Sequence, residues 1–355
     1  GNTAPSQLAG LAAMNVHHHD KMHLSLDLRQ AEGLDIFKQL MTLSDVIFEN
    51  FSPRVMPSYG LECPAIQEIN PSLIHVSMPA YGSTGPYSDF VSLGPGVNAL
   101  SGISDLTGYA DGPPLKPGNY YGDYMNGLFA SYCIFSGLFA RAQTGRGQHI
   151  EASMREVETH AFAEALLDYT LNGRVQTRQG NRHFSMAPHN VYPCQGEDSW
   201  IAIAVEDDKQ WQALVQVLGT PIWTQDSRFA TGEGRYQHQE EIDTYLGQWT
   251  RDKEHRKVMI VLQEAGVPAG AVLRPDEMLD DPQLVHREFY RDIPGTDLKT
   301  TSVAWQFADT SLDVRKGPPE FGETNNWILR DLLDLPDSFI TTLQEKNVIS
   351  YGLPT

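Results

Sequence analysis

Positive charge is what this sequence has least of. Its 26 lysines and arginines stand against 45 aspartates and glutamates, for a formal net charge of −19 and an isoelectric point near 4.9. A chain this acidic carries no general basic field to gather nucleic acid or anionic lipid, so a polyanionic ligand needs a local basic pocket. Cysteine is scarce as well. Cys63, Cys133 and Cys194 are odd in number and widely spaced, which fits neither a disulfide framework nor paired metal ligands. They read as reduced thiols of a cytoplasmic protein, each serving as a small buried hydrophobe. Long hydrophobic runs are missing too. The most apolar stretch, residues 127–140, falls short of the roughly 20 residues that span a bilayer and ends in Arg141, so it reads as a buried helix. The opening GNTAPSQLAG lacks the basic flank and apolar stretch of a secretory signal.

With 41% hydrophobic and 20% charged residues, no low-complexity tract and no internal repeat, the chain is a folded globular protein. Its 355 residues exceed the roughly 100 to 200 of a single domain. Up to about Asp123, strand-like and helix-like segments alternate. DVIFEN (45–50) and LIHVSMPA (73–80) are rich in β-formers, while 30–43 has apolar residues at helical spacing, a pattern that predicts parallel βαβ units. Ala130, Cys133, Ile134, Gly137 and Leu138 fall on one helical face, and TGRGQ supplies a glycine stop. HIEASM (149–154) alternates as a strand, and 156–171 reads as one further long helix. The polar stretch 172–190 has the character of a linker or active-site loop. Beyond it, WIAIAV (200–205), helices in 209–218, 238–250 and 253–265, and the strand AGAVLR (269–274) predict a smaller α+β unit. The tail from about Tyr290 returns to short strands, with helical segments near 325–333 and 336–346.

Four stretches could carry chemistry. In PGNYYGDYMNG, Asp123 opens the long helix. An aspartate there is ordinarily a cap worth about 0.5 to 2 kcal/mol, but flanking Gly118, Gly122 and Gly127 would also let a substrate approach a carboxylate nucleophile. HHHD (17–20) has metal-ligating residue types, yet adjacent histidines do not readily face one ion, so an exposed polar loop is the favoured reading. The segment holding His183, Ser185 and His189 lacks the G-x-S-x-G elbow of a hydrolase. SLGPGVNALSG (92–102) lacks the G-K-[ST] ending of a phosphate loop and reads as a backbone turn.

Taken in order, ENF (49–51), NPSLIHVS (70–77), YGSTGPY (81–87), ALSGISDLTGYADGPPL (99–115), GDYMNG (122–127), TGRGQHIEASM (144–154), GNRH (180–183), GVPAGAV (266–272) and DDPQL (280–284) resemble the family III CoA-transferases, the group of formyl-CoA and carnitine CoA-transferases. The resemblance runs from about Asn15 to beyond Thr324 with spacing preserved. It implies a Rossmann-like large domain in an α/β fold, assigned to 1–185 and rejoined by 291–355, with a smaller α+β domain at 186–290 and two subunits interlocked as a homodimer. It further implies that Asp123 is the nucleophile, that Leu26, Arg29, Asn50, Phe51 and Met154 contact coenzyme A, and that His183, Phe184 and Ser185 form a substrate lid. Coenzyme A thioester would be a substrate with a small carboxylic acid, with no permanently bound cofactor or metal and no nucleic-acid or membrane partner.

The segments also depart from the family. Members normally carry a further β-α unit ahead of NVHHHDK. Leu93 and Gly94 stand where several transferases have a tyrosine or acidic residue, and the glycine-rich lid is replaced by residues 183–186. The related α-methylacyl-CoA racemases pair the aspartate with an upstream histidine, which SLGPG lacks, so proton exchange at an α-carbon is the weaker reading. A CoA-binding or dimer-forming remnant is a further alternative.

Overall fold

Residues 17–118 and 121–352 are described in the computed structural model of the chain. The 1–10 stretch, Asn15, and Asn119 and Tyr120 before Asp123 lie outside the described residues. The chain folds as two compact units. One comprises the chain up to Ser101, Gly118–Ala163 and the chain from Leu279 onward, and the other comprises Gly102–Pro117 with Glu164–Met278. The mixed α/β class matches expectation. No helix among the described residues is long and apolar enough to cross a membrane.

The first unit begins with α1 (Ala31–Leu43), β1 (Val46–Glu49), α2 (Cys63–Ile69), β2 (Ile74–Ser77), α3 (Gly94–Ser101), α4 (Tyr121–Thr144), β3 (Gln148–Glu151) and α5 (Met154–His160). Its three strands are parallel in the order β1-β2-β3, and the register brings Glu49, Ser77 and Glu151 side by side at the carboxyl end. All of β2 is buried, as the central strand of a parallel sheet covered on both faces should be. α4 lies close against this sheet because Gly137 has no side chain. A Cβ there would stand 2.8 Å from Cγ2 of Ile74 and 3.1 Å from Cδ1 of Ile150. The helix ends at Gly145, whose φ of 73° and bond to the Arg141 carbonyl make the expected glycine cap.

Several expectations are corrected here. The apolar helix is not buried all round. Its inward face is the one read from the spacing, but Leu128, Tyr132, Phe135 and Phe139 stand 65–72% exposed on the other. An unbroken apolar run cannot distinguish a helix enclosed by its own chain from one that leaves a face for another surface. The 92–102 segment is no turn. Pro95, in the first turn of α3, is tolerated there, and Val97, Asn98 and Ser101 are buried on one side of the helix. HIEASM stops pairing at Glu151, and Met154 already belongs to α5.

The predicted single helix over 156–171 is also broken, at 161–162, between α5 and α6 (Ala163–Asn172). The second unit continues with β4 (His189–Pro193), β5 (Trp200–Ala204), α7 (Asp208–Val217), α8 (Gln239–Thr250), α9 (His255–Glu264) and β6 (Ala269–Val272). Its strands form an antiparallel sheet in the order β4-β5-β6. α7 starts where Asp207 caps the amide of Gln210, and it buries Trp211, Leu214 and Val215 at helical spacing. α9 starts where Glu254 accepts from the amides of Arg256 and Lys257.

The units change over at 163/164 and 278/279 rather than at the anticipated 185/186 and 290/291. The reason is non-local. Residues 102–117 join the second unit because Gly180 N–H donates to the Gly108 carbonyl at 2.9 Å and Arg178 pairs with Asp105 at 2.6 Å. The first unit then resumes with β7 (Tyr290–Asp292), β8 (Lys299–Thr301), a π-helical turn at Trp327–Leu332 and α10 (Asp337–Glu345). Ile340 and Leu343 of α10 pack with Ile36 of α1.

Candidate active site

In an open parallel sheet the chain leaves every strand at the same edge, so loops from successive strands converge there. In the first unit Asn50 and Phe51 follow β1, Ala80 and Tyr81 follow β2, and Met154 follows β3. These residues line one cavity of about 250 Å³ together with Asp123, which stands in the first turn of α4. Backbone N–H groups at that end lack intrahelical partners and favour negative charge. Gly94 gives the carboxylate room, since a Cβ at this position would lie 3.2 Å from Asp123 Oδ2. The remaining wall is apolar and hydroxyl-bearing, with Phe90, Val91, Leu93 and Val97 alongside Ser52, Ser88 and Ser92.

Behind Asp123 lies a group the sequence reading missed. Glu158 of α5 is 0% exposed, and its carboxylate accepts from Asn98 Nδ2 at 2.8 Å, Ser101 Oγ at 3.2 Å and Asn126 Nδ2 at 3.5 Å. Burial pushes Glu158 above the usual carboxylate range, the Asn98 and Ser101 bonds oppose that rise, and the charge of Asp123 adds to it. An acidic residue inside a helical pattern gave no signal, because its three donors come from elements far apart in sequence.

A second cavity, of about 150 Å³, shares Phe51, Ser52 and Pro53 with the first. Into it face Glu49, Ser77 and Glu151 from the strand ends, with His75 and His149 stacked at a centroid distance of 4.5 Å. His149 donates to or accepts from Ser77 Oγ at 2.9 Å. Burial, then the charge of His75, holds His149 below the ordinary imidazole range.

Of the expected coenzyme A contacts, Asn50, Phe51 and Met154 therefore share the Asp123 cavity, and two others do not line it. Leu26 packs on the cluster formed by Ile36, Leu329 and Leu343. Arg29 is 81% exposed and makes a two-pronged bond to Asp27 at 2.8 and 2.9 Å. His19 and Asp20 of the HHHD segment pair at 3.1 Å, and Asp20 also accepts from the amides of Arg315 and Lys316. The lid residues belong to the second unit. His183 Nδ1 accepts from the amides of Ser185 and Met186, each at 3.2 Å, and its ring lies tilted against an exposed Phe184 ring. In the same unit Arg182 and His189, but not these three, line an open cavity of about 500 Å³. Cys194 is buried, its thiol pushed up to about 11 chiefly by burial, while Cys63 and Cys133 are half-buried.

Residues 3–325 match the family description CoA-transferase family III. Among curated relatives, the succinyl-CoA–D-citramalate CoA-transferase of Chloroflexus aurantiacus is 32% identical over 93% of this chain and 83% of its own length. The succinate–glutarate CoA-transferase of Agrobacterium fabrum is 29% identical with the same coverage. Among solved structures, a CAIB/BAIF family protein from Brucella suis superimposes with a TM-score of 0.83 at 29% identity, covering 90% of this chain and 84% of that one.

Proposed function

The chain belongs to CoA-transferase family III and is a CoA-transferase acting on a coenzyme A thioester, and from that premise we propose that Asp123 is its covalent nucleophile. The observation that carries this reading is the meeting of Asp123 with Asn50, Phe51 and Met154 on one cavity at the carboxyl edge of the parallel sheet. The Asp123 carboxylate attacks the acyl carbon of the donor thioester. The C–S bond breaks, coenzyme A leaves as thiolate, and an aspartyl–acyl anhydride forms. The thiolate then attacks the aspartyl carbon, releasing the donor acid and leaving an aspartyl-CoA thioester. The acceptor carboxylate attacks the same carbon and expels the thiolate, which finally takes the acceptor acyl group and frees Asp123. Phe90 and Leu93, 52% and 82% exposed, give the cavity an apolar rim that a bound thioester would cover, which supports the reading because an anhydride survives only where water is kept out.

The relatives' names make succinyl-CoA the donor to try first, with short dicarboxylates such as glutarate and citramalate as acceptors. The wall's hydroxyls and Asn50 amide are suited to hydrogen-bond carboxylate groups. We assign His183, Phe184 and Ser185 to acceptor choice, so that alanine at 183 and 184 raises the acceptor KM and leaves coenzyme A affinity unchanged. The exposed stripe of Leu128, Tyr132, Phe135 and Phe139 supports an interlocked homodimer, and the unpaired thiols support a cytoplasmic location. The deciding experiment incubates the protein with succinyl-CoA and hydroxylamine and maps the modified peptide by mass spectrometry. A hydroxamate at Asp123, and no transfer by Asp123→Ala with coenzyme A binding retained, is the expected result. Turnover by Asp123→Ala would remove the assignment.

A further inference from the structure

Glu158 is a buried carboxylate that the transfer chemistry above does not use. Its hydrogen bonds tie three helices together at one point. Asn98 and Ser101 belong to α3, Asn126 to α4 and Glu158 itself to α5. That point lies directly beneath the peptide preceding Asp123, for a Cβ on Gly122 would collide with Glu158 Oε1. The same α3 begins at Gly94, the residue that borders the Asp123 carboxylate. The helix that carries Asp123 and the helix that opens at Gly94 are thus joined by one side chain, which meets α3 in its second half, at Asn98 and Ser101.

Two amide N–H groups and a hydroxyl point at the carboxylate oxygens and so offset part of the cost of burying them. A buried negative charge beside a helix N-terminus is favoured by the dipole there. Other charges are few. α3 carries no titratable residue. On α4 the nearby groups are Asp123 and Tyr124, whose hydroxyl meets His17 Nε2 at 3.3 Å. On α5, Arg155 donates to the Leu100 carbonyl and His160 to or from the Glu156 carbonyl, leaving Asp123 as the charge that Glu158 feels. Tyr81 is the one other titratable group lining the cavity.

We propose that Glu158 is a positioning residue for the CoA-transfer reaction: a buried carboxylate clamp that ties α3 and α5 to the first two turns of α4, beneath the peptide preceding Asp123. The inference rests on the reading of Asp123 as nucleophile.

The test measures kcat and KM for transfer from succinyl-CoA to glutarate, together with melting, in the native protein, Glu158→Gln, and the swap Asn98→Asp with Glu158→Gln. Glu158→Gln is expected to lower kcat about tenfold or more while KM for the thioester stays within about twofold. The swap restores donor–acceptor matching, so it should return kcat toward the native value. A native kcat in Glu158→Gln overturns the proposal, as does a swap that recovers native melting but keeps the lowered kcat. If Glu158→Gln does not fold, the swap decides alone. Asp123→Ala in the same assay separates the two readings. Activity there sinks the nucleophile, whereas an inactive Asp123→Ala with native kcat in Glu158→Gln sinks only the clamp.

Discussion

The two units solve the burial problem in opposite ways. In the second, one contiguous core gathers residues from the sheet and from α7, α8 and α9. Ile201 and Ile203 of β5, Trp211 and Leu214 of α7, Leu246 of α8 and Leu262 of α9 lie together, with Trp223 stacked on Tyr245 beside them. Even its fully buried cation is provided for, since Arg235 lies over the Trp211 ring and bonds Asp208 and two backbone carbonyls. In the first unit the apolar residues divide into smaller clusters, around α10, around Leu61 and Ile66, and around Met78 and Val97. It buries polar groups near the candidate site and leaves an aromatic stripe of α4 in solvent. The second unit closes one core but leaves Leu166, Leu167, Tyr169 and Leu171 of α6 exposed, whereas the first divides its core and keeps buried polar groups beneath the candidate site.

The largest effect that could break this contrast is in the second unit. Trp211 is buried between Trp223, Phe229 and Arg235. Trp211→Ala is expected to cost about 3 to 5 kcal/mol in chemical unfolding. A loss under about 1 kcal/mol would mean the core is not the tightly packed one described. Next comes the α4 stripe. Phe135→Asp with Phe139→Asp puts charge where the proposed dimer buries rings each worth roughly 1.5 to 3 kcal/mol. Sedimentation should then show loss of the dimer, or its failure to assemble, while a single protomer's fold is touched by no more than about 0.5 kcal/mol. A dimer of native stability in this variant would place the interface elsewhere.

Much of the framework behind these predictions was legible from the residues. Strand cores, the inward face of α4, its glycine stop and the helices of the second unit follow from local periodicity and capping, which depend on neighbours a few positions away. What local pattern cannot carry is who covers a face. Phe135 and Ile134 are equally apolar, and only the sheet decides which is inside. The same limit hid Glu158, whose partners lie 32 to 60 residues away, and the His75–His149 stack, formed by strand register. The joining of 102–117 to the second unit rests on Gly108 and Asp105, again through distant partners. Arg29 and Leu26 were placed by resemblance alone, and in this chain one pairs with its neighbour Asp27 while the other packs into a core.

The first unit's crowding under Asp123 gives a middle-sized prediction. Gly122→Ala sets a methyl against Glu158 Oε1 and, at 2.8 Å, against Asn98 Nδ2. Something must shift, at a cost of about 1 to 3 kcal/mol. The expected signature is a fall in kcat larger than the fall in stability predicts, because the displaced groups frame the nucleophile. Wild-type kcat with wild-type melting would show that the peptide before Asp123 has slack.

The smallest effect concerns Arg29, and it sharpens the contrast between groups that hold the fold and groups free to meet a ligand. Its guanidinium is mostly in solvent and, among the described residues, bonds Asp27, holding that carboxyl down to about 2. The sign is that of a depressed acid. The folded form binds the proton less readily than the unfolded chain, so the stabilisation is present above the ordinary carboxylate value near 4 and is lost as pH falls toward 2. Because the pair is solvent-screened, Arg29→Ala is expected to lower stability only slightly at pH 7. The difference from the native protein should close during acid titration between pH 4 and 2. Coenzyme A affinity by calorimetry gives the contrasting readout. If Arg29 meets an anionic end of the ligand as the family resemblance implies, binding weakens about tenfold or more and more steeply at low salt. Unchanged affinity would leave Arg29 as a surface partner of Asp27 and nothing else.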